Sequence, residues 1–507
     1  MPKKAAVFPT IVLDGASSEP LYRQLYDRLR IVILGGQLQA ETRLPSTRGL
    51  SLQLGVSRNT ILAAYEQLAA EGYVELVLGS GSYVARAIPG KQFRPSPGDH
   101  TETRFARRAI SQRGADLSET PRTPLPIMAG RGSSPRAFQP GLPAIDEFPT
   151  RLWGRLLARR WRSGGGLLGY QHPAGYRPLR EALAAYLGAA RGVRCTADQV
   201  IVVSGSQQAL DLASRILTDP GDTVWMEDPG YLGARCALRA AGVKIVPIPL
   251  DSEGIRVDIG AARANTASLA VVAPSNQFPL GTTMSLARRF SLLEWANRAS
   301  AWIMEDDYDS EFRYIGRPLG SLQGLDTQGR VLYFGTFSKV LFPALRLGYM
   351  VVPDDLVDAF VAGHLCSDVH SPVLTQMVVA DFINDGHFVR HINRMRALYA
   401  ERRRALLDAA RAEVDGAIQV DAASGGMHAL AWLPLGVNDQ IAARALAEAG
   451  IDAWPLSLHC IEPPDRGALL LGFTAVNPIE ISAAMKTLAR ALLGGVRAGE
   501  RPRDKRR

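Results

Sequence analysis

Cysteine is scarce in this 507-residue chain: there are four, at positions 195, 236, 366 and 460, and no two form a CxxC pair. That spacing excludes a clustered zinc site and gives no sign of a disulfide framework. A reducing, cytoplasmic setting is the expectation. Long apolar runs are also missing. No uninterrupted stretch approaches the ~20 residues of a membrane span. Met1-Pro2-Lys3-Lys4 leads into no apolar core of a signal peptide. A soluble protein with no membrane partner is therefore expected. Disorder throughout is excluded as well, because 47% of residues are hydrophobic and 21% charged, enough for packed cores. A single core rarely outgrows about 250–300 residues, so two or three domains are expected.

The net charge of +9 is unevenly spread. Residues 1–90 carry nine Lys/Arg against seven Asp/Glu, whereas residues 91–140 carry nine against four and residues 490–507 seven against two. The remaining segment, 141–489, is mildly acidic. The positive surplus thus falls in a candidate linker and a tail, where it suits solvated segments or loose, salt-sensitive attraction to phosphate. Residues 91–140 are also rich in Pro, Arg, Ser and Gly and lack apolar periodicity, as a linker would. The expected organisation is a head over 18–86, a flexible basic linker over 87–137, a large module over 138–495 and a basic tail over 496–507.

In the head, Leu21, Leu25, Arg28/Leu29 and Val32/Ile33 recur at helical spacing and Gly35-Gly36 ends the run. Ser46, after Leu44-Pro45, is placed to cap a second helix, and Gly55-Val56 to turn the chain. Ser57 is placed to cap a third helix over Arg58–Ala70. Tyr73–Val84 reads as strand, Gly-Ser-Gly turn and strand. This order predicts a winged helix-turn-helix. Ser57, Arg58, Asn59 and Thr60 open the helix that would enter the major groove of double-stranded DNA. Arg43, Ser46, Thr47 and Arg48 sit where the second helix would meet the phosphates. Gly79 and Gly81 let a wing tip approach the minor groove. A capping serine alone is common, and only the whole pattern is specific.

In the large module, apolar strand-like runs alternate with helical stretches, as in an α/β domain with a mainly parallel sheet. Polar residues cluster just past the strands, where such sheets bind ligands. An aldehyde cofactor such as pyridoxal 5'-phosphate needs a lysine for a Schiff base, and Lys339 in Gly335-Thr336-Phe337-Ser338-Lys339 is the candidate. Ser206, Gln207, Thr336, Ser338 and Arg346 offer hydroxyls, a helix N-terminus and a cation to its phosphate. Asp306 suits a pyridinium nitrogen, Tyr308 a phenolate oxygen, and Tyr231 stacking on the ring. Each of these residues has an ordinary structural reading, and only their joint order points to the cofactor.

Arg43-Leu44-Pro45-Ser46-Thr47-Arg48, with Leu54 to Thr60 and Glu71-Gly72-Tyr73, resembles the GntR family of bacterial repressors. Residues from about 138 to 490 look like fold-type I aminotransferases, with Lys339 and Arg346 seven apart as in that group. Tyr170, in Gly169-Tyr170-Gln171-His172-Pro173, matches the segment that reaches the neighbouring subunit's phosphate in such dimers. The whole chain resembles the MocR/GabR family of PLP-dependent transcriptional regulators. That resemblance implies a mainly parallel large lobe, a smaller α+β lobe and a head-to-tail homodimer. It further implies a DNA operator and an amine, amino acid or pyridoxal phosphate itself as effector.

Two positions depart from aminotransferases. Phe278-Pro279-Leu280-Gly281 replaces Asn-Pro-x-Gly, leaving Asn276 or Gln277 to approach the ring oxygen. Leu470 stands where an arginine grips the substrate α-carboxylate, with Arg235 and Arg466 as the candidate replacements. Inefficient turnover is expected, so a regulator is favoured over a working aminotransferase with a DNA-binding head. A DNA-binding protein whose second module only dimerises is the third reading.

Overall fold

The computed structural model of the chain describes residues 8, 11–77, 79–87, 110–119, 135–164, 169–316 and 320–499. It divides into two units, Met1–Ala109 and Ile110–Arg507. Most of the predicted linker and residues 500–507 of the predicted tail lie outside the described residues.

The first unit follows the predicted order: α1 (Leu21–Leu34), α2 (Thr47–Leu54), α3 (Arg58–Ala70), β1 (Val74–Val77) and β2 (Gly81–Val84). Its apolar positions converge on one core, with Leu25, Leu29 and Ile33 from α1, Leu50 from α2, and Ile61, Tyr65 and Leu68 from α3. The predicted caps form. Ser46 Oγ accepts from the Gly49 N–H and Ser57 Oγ from the Thr60 N–H, each at 3.1 Å. Gly55 closes α2 in the left-handed region at φ 66°. The Tyr65 hydroxyl donates to the Pro45 carbonyl at 3.0 Å, tying α3 to the approach of α2. The wing pairs antiparallel, with Val74 opposite Val84 and Val77 opposite Gly81.

The second unit is built on an eight-stranded sheet of β3 (Val200–Val203), β4 (Thr223–Asp228), β5 (Lys244–Asp251), β6 (Gly254–Ile255), β7 (Leu269–Val272), β8 (Trp302–Asp307), β9 (Val331–Thr336) and β10 (Gly348–Val351). The spatial order is β3-β10-β9-β8-β7-β4-β5-β6. Strands β4, β5, β7, β8 and β9 run parallel, and β10 runs against both of its neighbours. Strands β3, β7, β9 and β10 are buried along their whole length, because apolar clusters cover both faces. Near-continuous Val/Ile/Leu runs are what such a doubly covered sheet requires.

A smaller antiparallel sheet follows, ordered β11-β12-β14-β13 from β11 (Gln419–Asp421), β12 (His428–Trp432), β13 (Trp454–Pro455) and β14 (Ala468–Gly472). Side chains alternate across β14. Leu469 and Leu471 join the core under the helices His387–Glu413 and Pro478–Gly499, with Tyr399, Leu406, Ile481 and Met485. Leu470 and Ala468 face the other way, with Leu430 and Leu456. This is the α+β lobe beside a mainly parallel one. A short helix, Gln112–Glu119, lies within the stretch read as linker and packs on the helix Leu232–Ala241. Among the described residues, no helix is long and apolar enough to cross a membrane.

Candidate functional site

A cavity of about 380 Å³ opens where the carboxyl ends of β4, β8 and β9 meet the smaller sheet. Lys339, Asp306, Tyr308, Ser206, Gln207, Tyr231, Thr336, Ser338 and Arg346 all line it. The fold therefore gathers the predicted cofactor set in one place, apart from Tyr170. Lys339 Nζ donates to the Gly141 carbonyl at 2.8 Å. Gly141 has φ 72°, where a side chain would be strained, and a Cβ there would stand 2.7 Å from Nζ and displace it. Burial pulls the Lys339 ammonium below its usual range, against the opposing pull of Asp309 and Asp306.

Asp306 closes the opposite wall. It is 8% exposed, and its Oδ1 is buried with no hydrogen-bond partner. Burial, with the charge of Asp307 added, pushes its carboxyl up to about 7. A buried acceptor lacking a donor is where a protonated ring nitrogen belongs. Tyr308 accepts from Asn276 Nδ2 at 3.1 Å, which leaves its own hydroxyl proton free to reach an acceptor in the cavity. Asn276 also donates to Asp309, whereas Gln277 Nε2 is committed to Glu227 and to the carbonyls of Pro229 and Phe278. Asn276 is thus the one of the pair tied to the Tyr308 hydroxyl.

The phosphate end is equally well supplied. Ser206 and Gln207 begin the helix Ser206–Leu217 and line the cavity, so that the helix N-terminus suits an anion there. Arg346 takes the left-handed conformation at φ 49° and donates to the Ser204 carbonyl at 2.8 Å, holding its guanidinium beside that helix start. Thr336 Oγ1 accepts from the Ser338 N–H at 3.2 Å and shapes the loop ahead of Lys339. Donors for a phosphate, an orphaned acceptor for a ring N–H and an amine between them fit pyridoxal 5'-phosphate.

Two placements differ from expectation. Arg235 donates to the carbonyls of Cys460 and Leu458 at 2.9 and 2.8 Å, and Arg466 to that of Leu433 at 2.6 Å. Neither lines the cavity, so both candidate acid-group holders are spent on backbone. Tyr170 is 89% exposed and lies outside its own chain's cavity. The cavity also has a wall that sequence order did not signal: Glu227, Asp309, Met427, His428, Trp454 and His459. Burial pushes Glu227 up to about 8 and holds His459 down at about 3.

In the first unit, Arg43, Arg48, Ser57, Arg58 and Asn59 are exposed. Ser46 is exposed too, with Thr47 and Thr60 partly so. Arg58 Nε donates to Thr47 Oγ1 at 3.3 Å, linking the starts of α2 and α3. The Arg43 guanidinium packs over Gly81, where φ is 124° and a Cβ would lie 3.2 Å from its Nε. Leu62, one turn beyond Arg58 on α3, is 42% exposed.

Residues 21–84 match the model for bacterial regulatory proteins of the gntR family, and residues 153–460 that for aminotransferase class I and II. The chain is 41% identical to the probable rhizopine catabolism regulatory protein MocR of Rhizobium meliloti, over 98% of each chain. It is 30% identical to the HTH-type pyridoxine biosynthesis transcriptional regulator PdxR of Corynebacterium glutamicum, over 91% of this chain and 94% of that one. Among solved structures it resembles LysN, an α-aminoadipate aminotransferase of Thermus thermophilus complexed with N-(5'-phosphopyridoxyl)-L-leucine. There the TM-score is 0.67 and the identity 28%, covering 77% of this chain and 97% of that one. With a DNA-binding head, a cavity built for pyridoxal 5'-phosphate and relatives matching along nearly its full length, this chain belongs to the MocR/GabR family of PLP-dependent transcriptional regulators.

Proposed function

We propose that this regulator senses a small primary amine at the Lys339 cavity and adjusts its hold on an operator accordingly. The carrying observation is the combination of an intact Lys339, Asp306, Tyr308 and Arg346 set with Leu470 at the carboxylate-clamp position. When bound, pyridoxal phosphate supplies an aldehyde that condenses with primary amines. Lys339 would hold that cofactor through its amine, which burial favours in the neutral, nucleophilic form. With the cofactor bound, Asp306 would pair with the ring nitrogen, Tyr231 would lie against the ring, and Arg346 with Ser206 and Ser338 would hold the phosphate. Phe278 packs edge to face against both Tyr231 and Tyr308 in the cavity lining.

The working unit in this reading is a head-to-tail homodimer in which Tyr170 of each chain serves the other's phosphate site. Its exposure in the single chain supports that role. Two heads then meet two half-sites, with Arg58, Asn59 and Thr60 at the bases and Arg43, Ser46, Thr47 and Arg48 at the phosphates. Effector binding shifts the population of the DNA-competent dimer by its differential affinity for that state.

The test is the visible absorption of purified protein loaded with pyridoxal phosphate, joined to footprinting of its promoter regions with and without cofactor and amines. The reading expects a band that Lys339→Ala removes and a footprint that amines alter. A footprint indifferent to both cofactor and amines would leave the large unit a mere dimerisation module. Multiple turnovers with an amino donor and a keto acid would favour a working aminotransferase.

A further inference from the structure

The wing of the first unit has a third edge. Arg43 forms an antiparallel bridge with Tyr83. Around it, the Leu44 N–H donates to the Ser82 carbonyl at 2.8 Å and the Val84 N–H to the Thr42 carbonyl at 2.9 Å. The Glu41 N–H donates to the Val84 carbonyl, also at 2.9 Å. Strand β2 therefore lies between β1 and residues 41–44. Arg43 is carried by the wing, although in sequence it reads as part of the approach to α2.

Side chains opposite each other in such a ladder share a face, and long ones reach the diagonal neighbour. Arg43 stands opposite Tyr83, so its diagonal neighbour toward the tip is Gly81. Gly81 has no side chain, and the guanidinium lies over that bare spot; a Cβ there would stand 3.2 Å from Nε. The Tyr83 hydroxyl shares a hydrogen bond with Ser80 Oγ at 2.8 Å and steadies the turn. Gly79 adds no bulk, and a Cβ built on it would meet nothing within 4 Å. The tip is thus slim, and it carries a cation. Glu41, two residues from Arg43, pairs with Arg86 at 3.7 Å, and among the described residues Arg43 has no acidic partner.

The minor groove of B-DNA is about 6 Å wide, so a tip of this kind enters where a bulkier one would not. Over A·T-rich tracts the groove is narrower and more negative, which attracts arginine. Its floor offers only acceptors at A·T pairs, whereas a G·C pair adds an amino donor. A guanidinium only donates, so it complements the first floor and opposes the second. Lysine is more strongly hydrated and gives up its water less readily.

We infer that Arg43 is a specificity-determining residue, delivered by the wing into the minor groove, where it selects A·T-rich steps beside each half-site. These steps lie about five base pairs, half a helical turn, from the centre of the α3 contact. The inference rests on the operator-binding part of the proposed function and moves Arg43 from the phosphates to the base edges.

The experiment starts with selection of sites from a random duplex library by the full chain in the presence of pyridoxal phosphate. The recovered site then competes with copies whose A·T pairs at the wing step are replaced by G·C or by inosine·C. Inosine lacks the guanine amino group, so its minor-groove edge resembles that of A·T. G·C should weaken binding by about tenfold or more, the usual cost of a wrong base pair, and inosine·C should restore most of the loss. Arg43→Ala should bring the ratio of A·T to G·C affinity near one. Arg43→Lys should keep the salt dependence and lose most of that ratio. Because a ratio between duplexes is read, a partly unfolded variant does not imitate the result. Equal losses by Arg43→Ala on both duplexes, rescued in full by Arg43→Lys, would make Arg43 a phosphate contact and overturn the inference. A selected site with no A·T preference at the wing step overturns it too. Failure of the underlying reading has its own signature: no sequence is selected, or Arg58→Ala binds the selected site undiminished, and the inference falls with it.

Discussion

Replacing Asp306 by Asn should remove a pH-dependent penalty from the cofactor-free protein and, in the same molecule, weaken its hold on pyridoxal phosphate. Burial, with Asp307 adding to it and Lys339 opposing, raises Asp306 from 3.8 to about 7. Between those values the folded chain keeps a proton that the unfolded chain has released. Folded-state stability therefore falls as pH rises through that window; the penalty is absent below about pH 4 and complete above about pH 7. Three pH units at about 1.4 kcal/mol each set an upper bound of about 4 kcal/mol. About 2–3 kcal/mol of that falls between pH 5 and pH 8. Asn does not titrate, so the difference between the two proteins should move by this amount in favour of Asp306→Asn over that range. Chemical denaturation of both cofactor-free proteins at pH 5 and pH 8 measures it. Glu227 and Glu305, raised to about 8 and about 7, titrate in both proteins and largely cancel. Cofactor affinity should fall by about tenfold or more, because a charge-assisted bond to the ring nitrogen is worth about 1.5–3 kcal/mol. A difference that is flat with pH would refute the buried-acid account, and undiminished cofactor affinity would refute the assignment of Asp306 to the ring nitrogen.

Ser57→Ala removes the cap of α3 and should cost about 1 kcal/mol, read as a loss of about fivefold in hydrogen-exchange protection of that helix. Gly335→Ala would place a methyl 2.3–2.5 Å from the Tyr349 ring atoms. It should lower stability by about 1–3 kcal/mol and displace the loop bearing Lys339, seen as a lower melting temperature and a weaker cofactor band. Arg58→Ala should reduce affinity for the operator far more than for random DNA in a competition shift assay, whereas equal losses on both would mean that Arg58 touches only phosphate.

The parts of the site that were legible in the sequence are those whose chemistry is tied to chain order. Ser206, Asp306 and Lys339 each sit close to the end of a strand, so locating the strands located them. The head was readable for a similar reason, since Ser46, Gly55 and Ser57 act on neighbours within four residues. The wall that faces the ligand has no such local signature. Gly141 meets Lys339 across 198 positions, and His428, Trp454 and His459 arrive from a second sheet whose packing no periodicity reveals. Arginines were misleading for a different reason. A guanidinium offers five donors, and buried carbonyls outside regular ladders need donors as much as ligands do. Arg235 and Arg466 serve such carbonyls, so their closeness in sequence to site residues carried little information about the ligand. Leu470 carried more, because an apolar side chain cannot be redirected by rotation to hold an anion. Its alternation with Leu469 and Leu471 fixes which face of β14 it presents, and that face packs against residues that line the cavity. A missing charge at a defined strand position therefore constrains the ligand more tightly than two charges whose partners are unknown.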